Sequence, residues 1–394
     1  MPKPNLINSL IYLSLVSIIS VACMAEAPPT AIALTPTMNV PVTPMPTVTP
    51  ADLLPTPTAS ATPAMTAAPP AAGIIIYIQE SEKEIWHLDV ATKRTKQITS
   101  AEDRDRRIFN PQWAPDGQVF AYERASKVWL SDREGENQRK IIDASNFWWI
   151  NATTLRYCRH KEIGASCFLF DIETNTTERL QVGDYWWIFA YSPDVSKVFV
   201  QERQATEKIQ PQTTQYLLDV KTGQKIFEYE FEYEIGRGYW TEDPKWTPDG
   251  QQVAFTSGIP GQSLSGEVFV VDINGEDFTQ LTNFSQQEEN IYPALLQWSP
   301  DGEWLALVLA TSPADELAIL KSDGSTLKRL GVEWLTLAES NLHPVWSPDS
   351  RQIAFLSNQL TDDGQWQIYA VDIETGDVFQ LTDTPGRKTW LDWK

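Results

Sequence analysis

The sequence predicts an all-β protein, a β-propeller of seven four-stranded blades, and three observations support this fold. One phrase returns along the chain: an aromatic residue, a Pro-Asp pair and an apolar run, as in "WSPDSRQIAFLS" from Trp346. The copies follow one another at intervals that suit one blade each. The two ends of the folded region carry complementary fragments of the same phrase. Six blades remain the alternative count.

Each copy reads as four short strands. The first ends in an aromatic anchor, and a Pro-Asp-Gly stretch then has the composition of a type I turn. An apolar second strand, a third strand that ends in Asp and a short polar-apolar fourth strand complete the unit. The anchors are Trp113, Trp149, Tyr191, Trp246, Trp298, Trp346 and Trp393. The intervals between successive anchors are 36, 42, 55, 52, 48 and 47 residues.

The ends of the folded region predict how the ring closes. The stretch "GIIIYIQES" from Gly73 reads as a second strand with no first strand before it. Trp393 ends a first strand that has no second strand after it. We therefore expect residues 388–393 to pair with residues 73–79, because this completes one blade and leaves no open sheet edge.

The repeat resembles that of TolB-type β-propellers, whose signature is Trp-Ser-Pro-Asp-Gly followed by a strand like Ile-Ala-Phe. The resemblance extends over nearly all of residues 73–394 and implies the propeller fold, but much less about function. TolB itself is periplasmic, has an additional N-terminal domain and is usually described with six blades. This chain is expected to be a relative that shares the repeat, and not TolB itself.

The Pro-Asp turns are interpreted as structural. Their carboxylates are expected to bond nearby backbone N–H groups, and the anchors are expected to pack between neighbouring blades. A catalytic role would need residues that differ from blade to blade, and these are alike. The turn residues are Asp116, Asp194, Asp249, Asp301 and Asp349.

The N-terminus reads as a targeting segment, so the folded domain is expected outside the cytoplasm. Residues 1–23 place one Lys before an apolar stretch, and "SVAC" resembles a bacterial lipoprotein box with Cys23 as the lipidated residue. An uncleaved signal anchor is the alternative, because residues 6–22 are almost long enough to span a thin bilayer. Membrane contact is expected through this anchor alone, at the periplasmic or cell-surface side of the envelope.

Residues 24–72 are predicted to be a disordered Pro/Thr/Ala-rich linker, which leaves residues 73–394 as the propeller. This segment holds 12 of the 27 prolines and cannot bury enough apolar surface to fold. The net charge of the chain is −21, and an acidic domain repels nucleic acid, which is therefore not expected as a partner. We expect a monomer.

Cys158 and Cys167 flank a hairpin-like stretch, and export would make a disulfide between them favourable. A two-residue turn at Glu162-Ile163 would place them opposite each other as a non-hydrogen-bonded pair, at a distance that suits the bridge. Two free, buried thiols are the alternative.

No catalytic motif is found, and the protein is interpreted as a non-enzyme without cofactor or metal. The nearest match to a Gly-x-Ser-x-Gly elbow, "GQSLSG" from Gly261, misses the pattern. The three histidines, His87, His160 and His343, fall on separate units, which argues against a metal site. A glycan-active hydrolase or lyase with carboxylates at the channel mouth remains the alternative.

The approaches to the first strands carry large aromatic residues, which suit a binding surface. Tyr185, Trp240 and Tyr292 each lie six residues before their anchor, so equal offsets predict an arc at one mouth of the channel. Arg107 and Arg387 hold the same offset and would add positive charge. The alternative is that these aromatics belong to the core of the first strands. The predicted function is a tethered, non-catalytic binding module for an unidentified envelope protein or cell-wall glycan.

Overall fold

The repeat folds as the anchors predict, into seven four-stranded antiparallel sheets that follow one another as blades. A computed structural model of the 394-residue chain gives this architecture. The residues that the structure describes are 71–80, 83–100, 108–160, 165–180, 189–203, 212–232, 244–258, 266–287, 291–311, 315–334, 344–358, 360 and 364–394. No helix within these ranges combines the length and the apolar character needed to cross a membrane.

The strands are numbered along the chain, and blade 1 takes one strand from each end of the fold. Blade 1 contains β1 (Ile74–Gln79), β2 (Glu84–Asp89), β3 (Arg94–Gln97) and the last strand, β28 (Lys388–Trp393). Blade 2 contains β4 (Ile108–Trp113), β5 (Val119–Arg124), β6 (Lys127–Asp132) and β7 (Arg139–Ile142). Blade 3 contains β8 (Phe147–Trp149), β9 (Thr154–His160), β10 (Ala165–Asp171) and β11 (Thr176–Arg179).

The other blades keep chain order. Blade 4 contains β12 (Phe189–Tyr191), β13 (Lys197–Arg203), β14 (Gln212–Asp219) and β15 (Lys225–Glu232). Blade 5 contains β16 (Lys245–Trp246), β17 (Gln252–Gly258), β18 (Gly266–Asp272) and β19 (Phe278–Gln280). A 3-10 turn, Phe284–Gln286, precedes blade 6, which contains β20 (Tyr292–Trp298), β21 (Trp304–Ala310), β22 (Asp315–Lys321) and β23 (Leu327–Trp334). Blade 7 contains β24 (Val345–Trp346), β25 (Gln352–Ser357), β26 (Gln367–Asp372) and β27 (Val378–Gln380).

The ring closes by the predicted pairing of the two ends. The order of blade 1 is β28-β1-β2-β3, and Ile75 stands opposite Trp393 while Gln79 stands opposite Lys388. The backbone N–H of Ile74 donates to the carbonyl of Lys394 at 2.7 Å, and the N–H of Lys394 donates back at 3.0 Å. The closing strand therefore supplies the inner strand that β1 lacks.

The hydrophobic core lies between the blades, and the repeated residues explain it. The anchors Trp298, Trp346 and Trp393 pack against the second strand of the preceding blade, at the small middle residue of the Ile-Ala-Phe phrase. Trp298 thus shares a cluster with Ala254, and Trp393 shares one with Ala354. A bulky aromatic on one blade fits over a small residue on the next because sheets in contact must interdigitate.

The Pro-Asp turns are held by local hydrogen bonds. Asp249 Oδ1 accepts from the Thr247 hydroxyl at 2.6 Å and from the Gln251 N–H at 3.0 Å. Asp301 makes the same pair of bonds, to Ser299 and to the N–H of Glu303. Equivalent bonds to the backbone N–H two residues further on are made by Asp116, Asp194 and Asp349. These carboxylates shape the turns between the first and second strands.

A threonine just after the fourth strand, in the sequence Gln-Leu-Thr, makes a repeated set of buried hydrogen bonds. The Thr282 hydroxyl donates to Glu267 at 2.5 Å and accepts from the N–H of Val268 at 2.9 Å. Gln280 caps the carbonyl of Thr282 at 2.6 Å. Blades 1 and 7 repeat this arrangement around Thr99 and Thr382. These bonds satisfy buried polar groups where the outer strand leaves the sheet.

Cys158 and Cys167 are joined by a disulfide between β9 and β10. The two residues stand directly opposite each other in the ladder, with a Cα–Cα distance of 4.0 Å. The connecting residues, 161–164, which include the expected turn at Glu162-Ile163, lie outside the described residues. The bridge ties the second and third strands of blade 3 together.

Candidate functional site

The inner strands of the seven blades surround a central channel. The chain enters each inner strand from the fourth strand of the preceding blade. We call the end of the channel where the inner strands begin the mouth. Each inner strand finishes at its anchor, next to the turn that leads to the second strand. Residues before the anchors therefore line the channel, and residues further back lie closer to the mouth.

The anchors fix the spacing of the inner strands through a repeated hydrogen bond. The indole N–H of Trp298 donates to the carbonyl of Lys245 at 2.9 Å, and the indole of Trp346 donates to the carbonyl of Gln297 at 2.9 Å. Trp149 and Trp246 make the same bond to the blades that precede them. In each case the acceptor is the residue directly before the preceding anchor, so this position lies at the channel wall.

We call these pre-anchor residues the channel ring. It consists of Gln112, Trp148, Ala190, Lys245, Gln297, Val345 and Asp392. Its side chains face the next blade around the ring: Asp392 Oδ2 accepts from the backbone N–H of Trp113 at 2.7 Å. The ring carries six different residue types in seven blades, whereas the anchors beside it are all Trp or Tyr. Its chemistry is therefore not dictated by the packing of the repeat.

Asp392 is the carboxylate of the channel ring. Burial raises the pKa of its carboxyl, while Lys394 and the N–H groups of Trp113 and Trp393 act in the opposite direction. The N–H of Trp393 lies 2.9 Å from Oδ1. Asp392 thus bridges the closing strand and the inner strand of blade 2.

The junction between blades 3 and 4 departs from the repeat. The anchor there is Tyr191, and the second strand of blade 3 carries Arg156, where the other blades carry uncharged residues. Arg156 is 8% exposed, and its guanidinium carbon lies 4.4 Å from the centre of the Trp148 ring. Burial raises the pKa of Tyr191, and the charge of Arg156 opposes this rise. A buried cation therefore lies directly behind an indole of the channel ring.

The mouth is shaped by a bulge that recurs three residues before the anchor. Asn110, Asn146, Leu295 and Trp390 all adopt positive φ angles, between 53° and 60°. The ladder shifts register at this position in β4, β20 and β28. Such bulges bend a strand and redirect its side chains. Side chains before the bulge therefore do not follow the simple alternation between two faces that counting residues back from the anchor would predict.

Three of the five residues predicted for the binding arc, Tyr185, Trp240 and Arg107, lie outside the described residues. Tyr292 is the first residue of β20 and is half-buried. One side of its ring lies on Gly266 of blade 5, where an added Cβ would stand 2.7 Å from Cε2. Tyr292 thus both packs between blades and remains partly accessible.

Arg387 directly precedes β28 and is already engaged. Its Nε lies 3.5 Å from a carboxylate oxygen of Glu80, and its guanidinium lies over the ring of Trp366 at 5.4 Å. The ion pair offsets the positive charge that the sequence assigns to the mouth.

Lys388, the next residue, is fully buried, and its ammonium donates to the carbonyls of Thr384 and Gly386. Burial lowers the pKa of Lys388 to about 8. These bonds hold the connection into the closing strand in place.

Two aromatic residues of the inner strands are exposed. Phe109 is 39% exposed and Trp148 is 37% exposed, and they belong to neighbouring blades. Their neighbours Ile108 and Phe147 are buried, so the aromatic clusters of the sequence contain both core and channel residues. Phe109 is four residues before its anchor and Trp148 is one before, so a search at a single offset misses both. The pre-anchor position, read after the anchors are aligned, would have identified Trp148 but not Phe109.

A cavity of about 430 Å³ lies at the opposite end of the propeller, between blades 5 and 6. Asp249, Asp272 and Asp301 contribute to its wall. One oxygen of each carboxylate is committed to backbone N–H groups of its own turn. Across the described ranges, no group of three or more His, Cys, Asp or Glu residues is arranged to hold a metal ion.

Residues 243–390 match the family model described as the TolB beta propeller domain. This segment covers blades 5 to 7 and the first part of β28, so this part of the chain carries TolB-type propeller repeats. Dipeptidyl-peptidase 5 of Porphyromonas gingivalis is 28% identical over 176 residues, which represent 41% of this chain and 24% of that protein. The match thus spans about a quarter of the length of this relative.

Similar solved structures include enzymes and a TolB protein. An oligogalacturonate lyase in complex with manganese has a TM-score of 0.53 at 14% identity, covering 79% of this chain and 86% of that chain. The lyase from Vibrio parahaemolyticus has a TM-score of 0.50 at 12% identity, covering 80% and 86%. TolB from Acinetobacter baumannii has a TM-score of 0.46 at 18% identity, covering 82% and 66%. At these identities the likeness to the two lyases concerns the fold alone.

Proposed function

We propose that this chain is an exported, membrane-tethered and non-catalytic binding module, whose propeller engages an envelope protein or a cell-wall glycan through its channel. The observation that carries the proposal is the exposure of Phe109 and Trp148 on neighbouring inner strands. Exposed aromatics that line a concavity provide rigid contact area at low entropic cost. The half-buried Tyr292 adds a third aromatic at the mouth.

The N-terminal segments suit this role. Cys23 is the proposed lipidation site, and residues 24–72 are the proposed linker between membrane and propeller. Its 49 residues would span roughly 40 Å as a flexible coil and about 150 Å as an extended polyproline helix. A domain on such a linker can extend away from the outer face of the membrane and reach a partner in the envelope.

The proposal is tested by pull-down from envelope extract with the full-length chain as bait. The double variant Phe109→Ala/Trp148→Ala should lose the partner, because it removes the exposed aromatic surface of the channel. Leu327→Ala is the matched control, since Leu327 is 37% exposed but lies on the outer strand of blade 6. Retention of the partner by the double variant, with a wild-type circular dichroism spectrum, would contradict the proposal.

A glycan-active hydrolase or lyase is the second candidate, and Asp392 is the observation that favours it. Its carboxyl is at the channel wall, and its raised pKa is a property of general acids. A glycosidase needs a pair of carboxylates, so Asp392 would be one member. Asp392→Asn should abolish turnover and spare binding if this candidate is right. Saccharide release that survives Asp392→Asn would remove Asp392 from any such mechanism.

A further inference from the structure

The channel ring changes character most sharply from blade 3 to blade 5. There it presents the exposed indole of Trp148, then the small side chain of Ala190, then Lys245. Lys245 is partly buried, and its ammonium has no hydrogen bond or ion pair to any residue in the described ranges. An aromatic face, a gap and a cation thus follow one another along the wall.

Arg156, which packs against Trp148, is a second departure from the repeat at this place. Arg156 stands opposite Trp148 in the β8–β9 ladder. At this ladder position the other blades carry Ile76, Ala121, Phe199, Ala254, Ala306 and Ala354. Burying a charge is costly, so a cation where the repeat has uncharged residues is not a packing requirement. The disulfide, two residues further along β9 at Cys158, holds this strand rigid.

Arg156 affects what Trp148 can bind. The guanidinium on one face fixes the orientation of the indole by a cation–π contact, which leaves the exposed part of the ring directed to the channel. Its charge also acts through a low-dielectric interior, where electrostatic interactions are strong. The channel wall at blade 3 is therefore aromatic and backed by a cation, in a chain whose net charge is −21.

We propose that Trp148, Ala190 and Lys245 form a subsite for a sugar ring that carries a carboxylate. The ring stacks on the exposed indole, the gap at Ala190 admits it, and the carboxylate pairs with Lys245. The inner strands of blades 4 and 5 approach within 8 Å at their Cα atoms, so Lys245 lies one strand beyond the gap. This subsite rests on the proposed binding function and names the ligand chemistry for it.

Charge explains why an acidic sugar is favoured over a neutral one. An acidic protein repels anions over most of its surface, so an anionic ligand needs a local cation to bind at all. Lys245 supplies that cation, whereas a neutral saccharide offers no charge to pair with it. Carboxylate sugars of two sources, muramic acid and hexuronic acids, share this chemistry.

The test is isothermal titration of the full-length protein with three probes. The probes are the N-acetylglucosamine–N-acetylmuramic acid disaccharide, a trigalacturonate, and the neutral N-acetylglucosamine dimer as the uncharged match. We expect at least one acidic probe to bind tenfold or more tightly than the neutral dimer. The acidic probe that binds identifies the source of the carboxylate.

The variants assign the two contacts. Trp148→Ala should weaken the acidic probe tenfold or more, and Lys245→Ala should weaken it while leaving the affinity for the neutral dimer unchanged. Lys245→Arg, which keeps the charge, should restore binding to within about threefold of wild type. Lys140→Ala, on the outer strand β7, is the matched control and should change nothing.

Two outcomes overturn the inference: no acidic probe binds at millimolar concentration, or Trp148→Ala and Lys245→Ala bind as well as wild type. If the inference fails in this way while the pull-down still returns a partner that depends on Phe109 and Trp148, the binding module stands and its ligand is a protein. If neither experiment shows binding, the proposed function falls as well.

Discussion

Replacement of Trp393 by Ala tests how the ring is closed. Trp393 is 1% exposed and packs between blade 7, at Ala354, and blade 1, at Ile75. Removing a buried Trp side chain typically costs about 3–5 kcal/mol of unfolding free energy. No covalent link joins β28 to its partner β1, so this loss should be concentrated at their junction. We therefore expect the closing strand to open before the rest of the propeller unfolds.

Trp346→Ala provides the matched control. Trp346 is equally buried and packs on Ala306 of blade 6, but its strand is linked to the next strand of its own blade by a short turn. Both variants should lose similar free energy in urea unfolding followed by tryptophan fluorescence. Only Trp393→Ala should selectively expose the pairing of Ile74 with Lys394.

Hydrogen exchange of those two amides measures the difference. A loss of about 3–5 kcal/mol at the junction corresponds to exchange roughly 100-fold to 4,000-fold faster, since each 1.4 kcal/mol is tenfold. Ile74 and Lys394 report it directly, because each N–H donates to the carbonyl of the other. Equal acceleration of these amides in Trp346→Ala would show that the closing junction is no weaker than any other, and the reasoning would fail.

Three further predictions concern stability in acid, the disulfide and the lipid attachment at Cys23. His87 is buried against Trp113, and burial lowers the pKa of its imidazole to about 4. Between about pH 4 and pH 6.5 the imidazole is therefore neutral in the folded state but protonated in the unfolded state. The free energy of unfolding should therefore fall by about 2 kcal/mol from pH 7 to pH 5, and His87→Phe should flatten this slope in urea titrations; an unchanged slope would contradict it. The double variant Cys158→Ser/Cys167→Ser should lose about 2–3 kcal/mol of unfolding free energy, and rapid labelling of Cys158 and Cys167 in the unreduced, denatured wild type would refute the bridge. Cys23→Ser should abolish incorporation of a clickable fatty acid, and equal labelling of wild type and variant would exclude Cys23 as the site.

The fold could be predicted from the sequence because the anchors do one repeated task. A large aromatic packs against the preceding blade at every junction, so its recurrence marks each blade. The closure followed from the same logic, since β1 lacked an inner strand and Trp393 ended one. The seven-blade count and the pairing of Ile75 with Trp393 are confirmed.

The mouth was less predictable, because its geometry depends on backbone conformation that the sequence does not encode clearly. Asn110 and Asn146 tolerate positive φ, but Leu295 and Trp390 adopt it without any such preference. The neighbouring blades and the paired second strand impose these conformations. Counting six residues back from an anchor therefore placed Tyr292 near the mouth but did not reveal its packing on Gly266. Nor did it reveal the ion pair that occupies Arg387.

The channel ring lies between these two cases. Its position is fixed by the anchors, so aligning "TLRYC" with "QVAFT" would have placed Arg156 where four other blades carry Ala and two carry Ile or Phe. Its identity is less constrained, because Val345 is the one member of its seven residues that belongs to a hydrophobic core cluster. Residues that packing does not constrain can vary with the ligand, whereas the anchors cannot. Substitutions such as Lys245→Ala should therefore change binding with little effect on stability, and Trp298→Ala should do the reverse. Opposite effects of these two substitutions on binding and on stability would show that the channel ring binds a ligand, and does not merely pack.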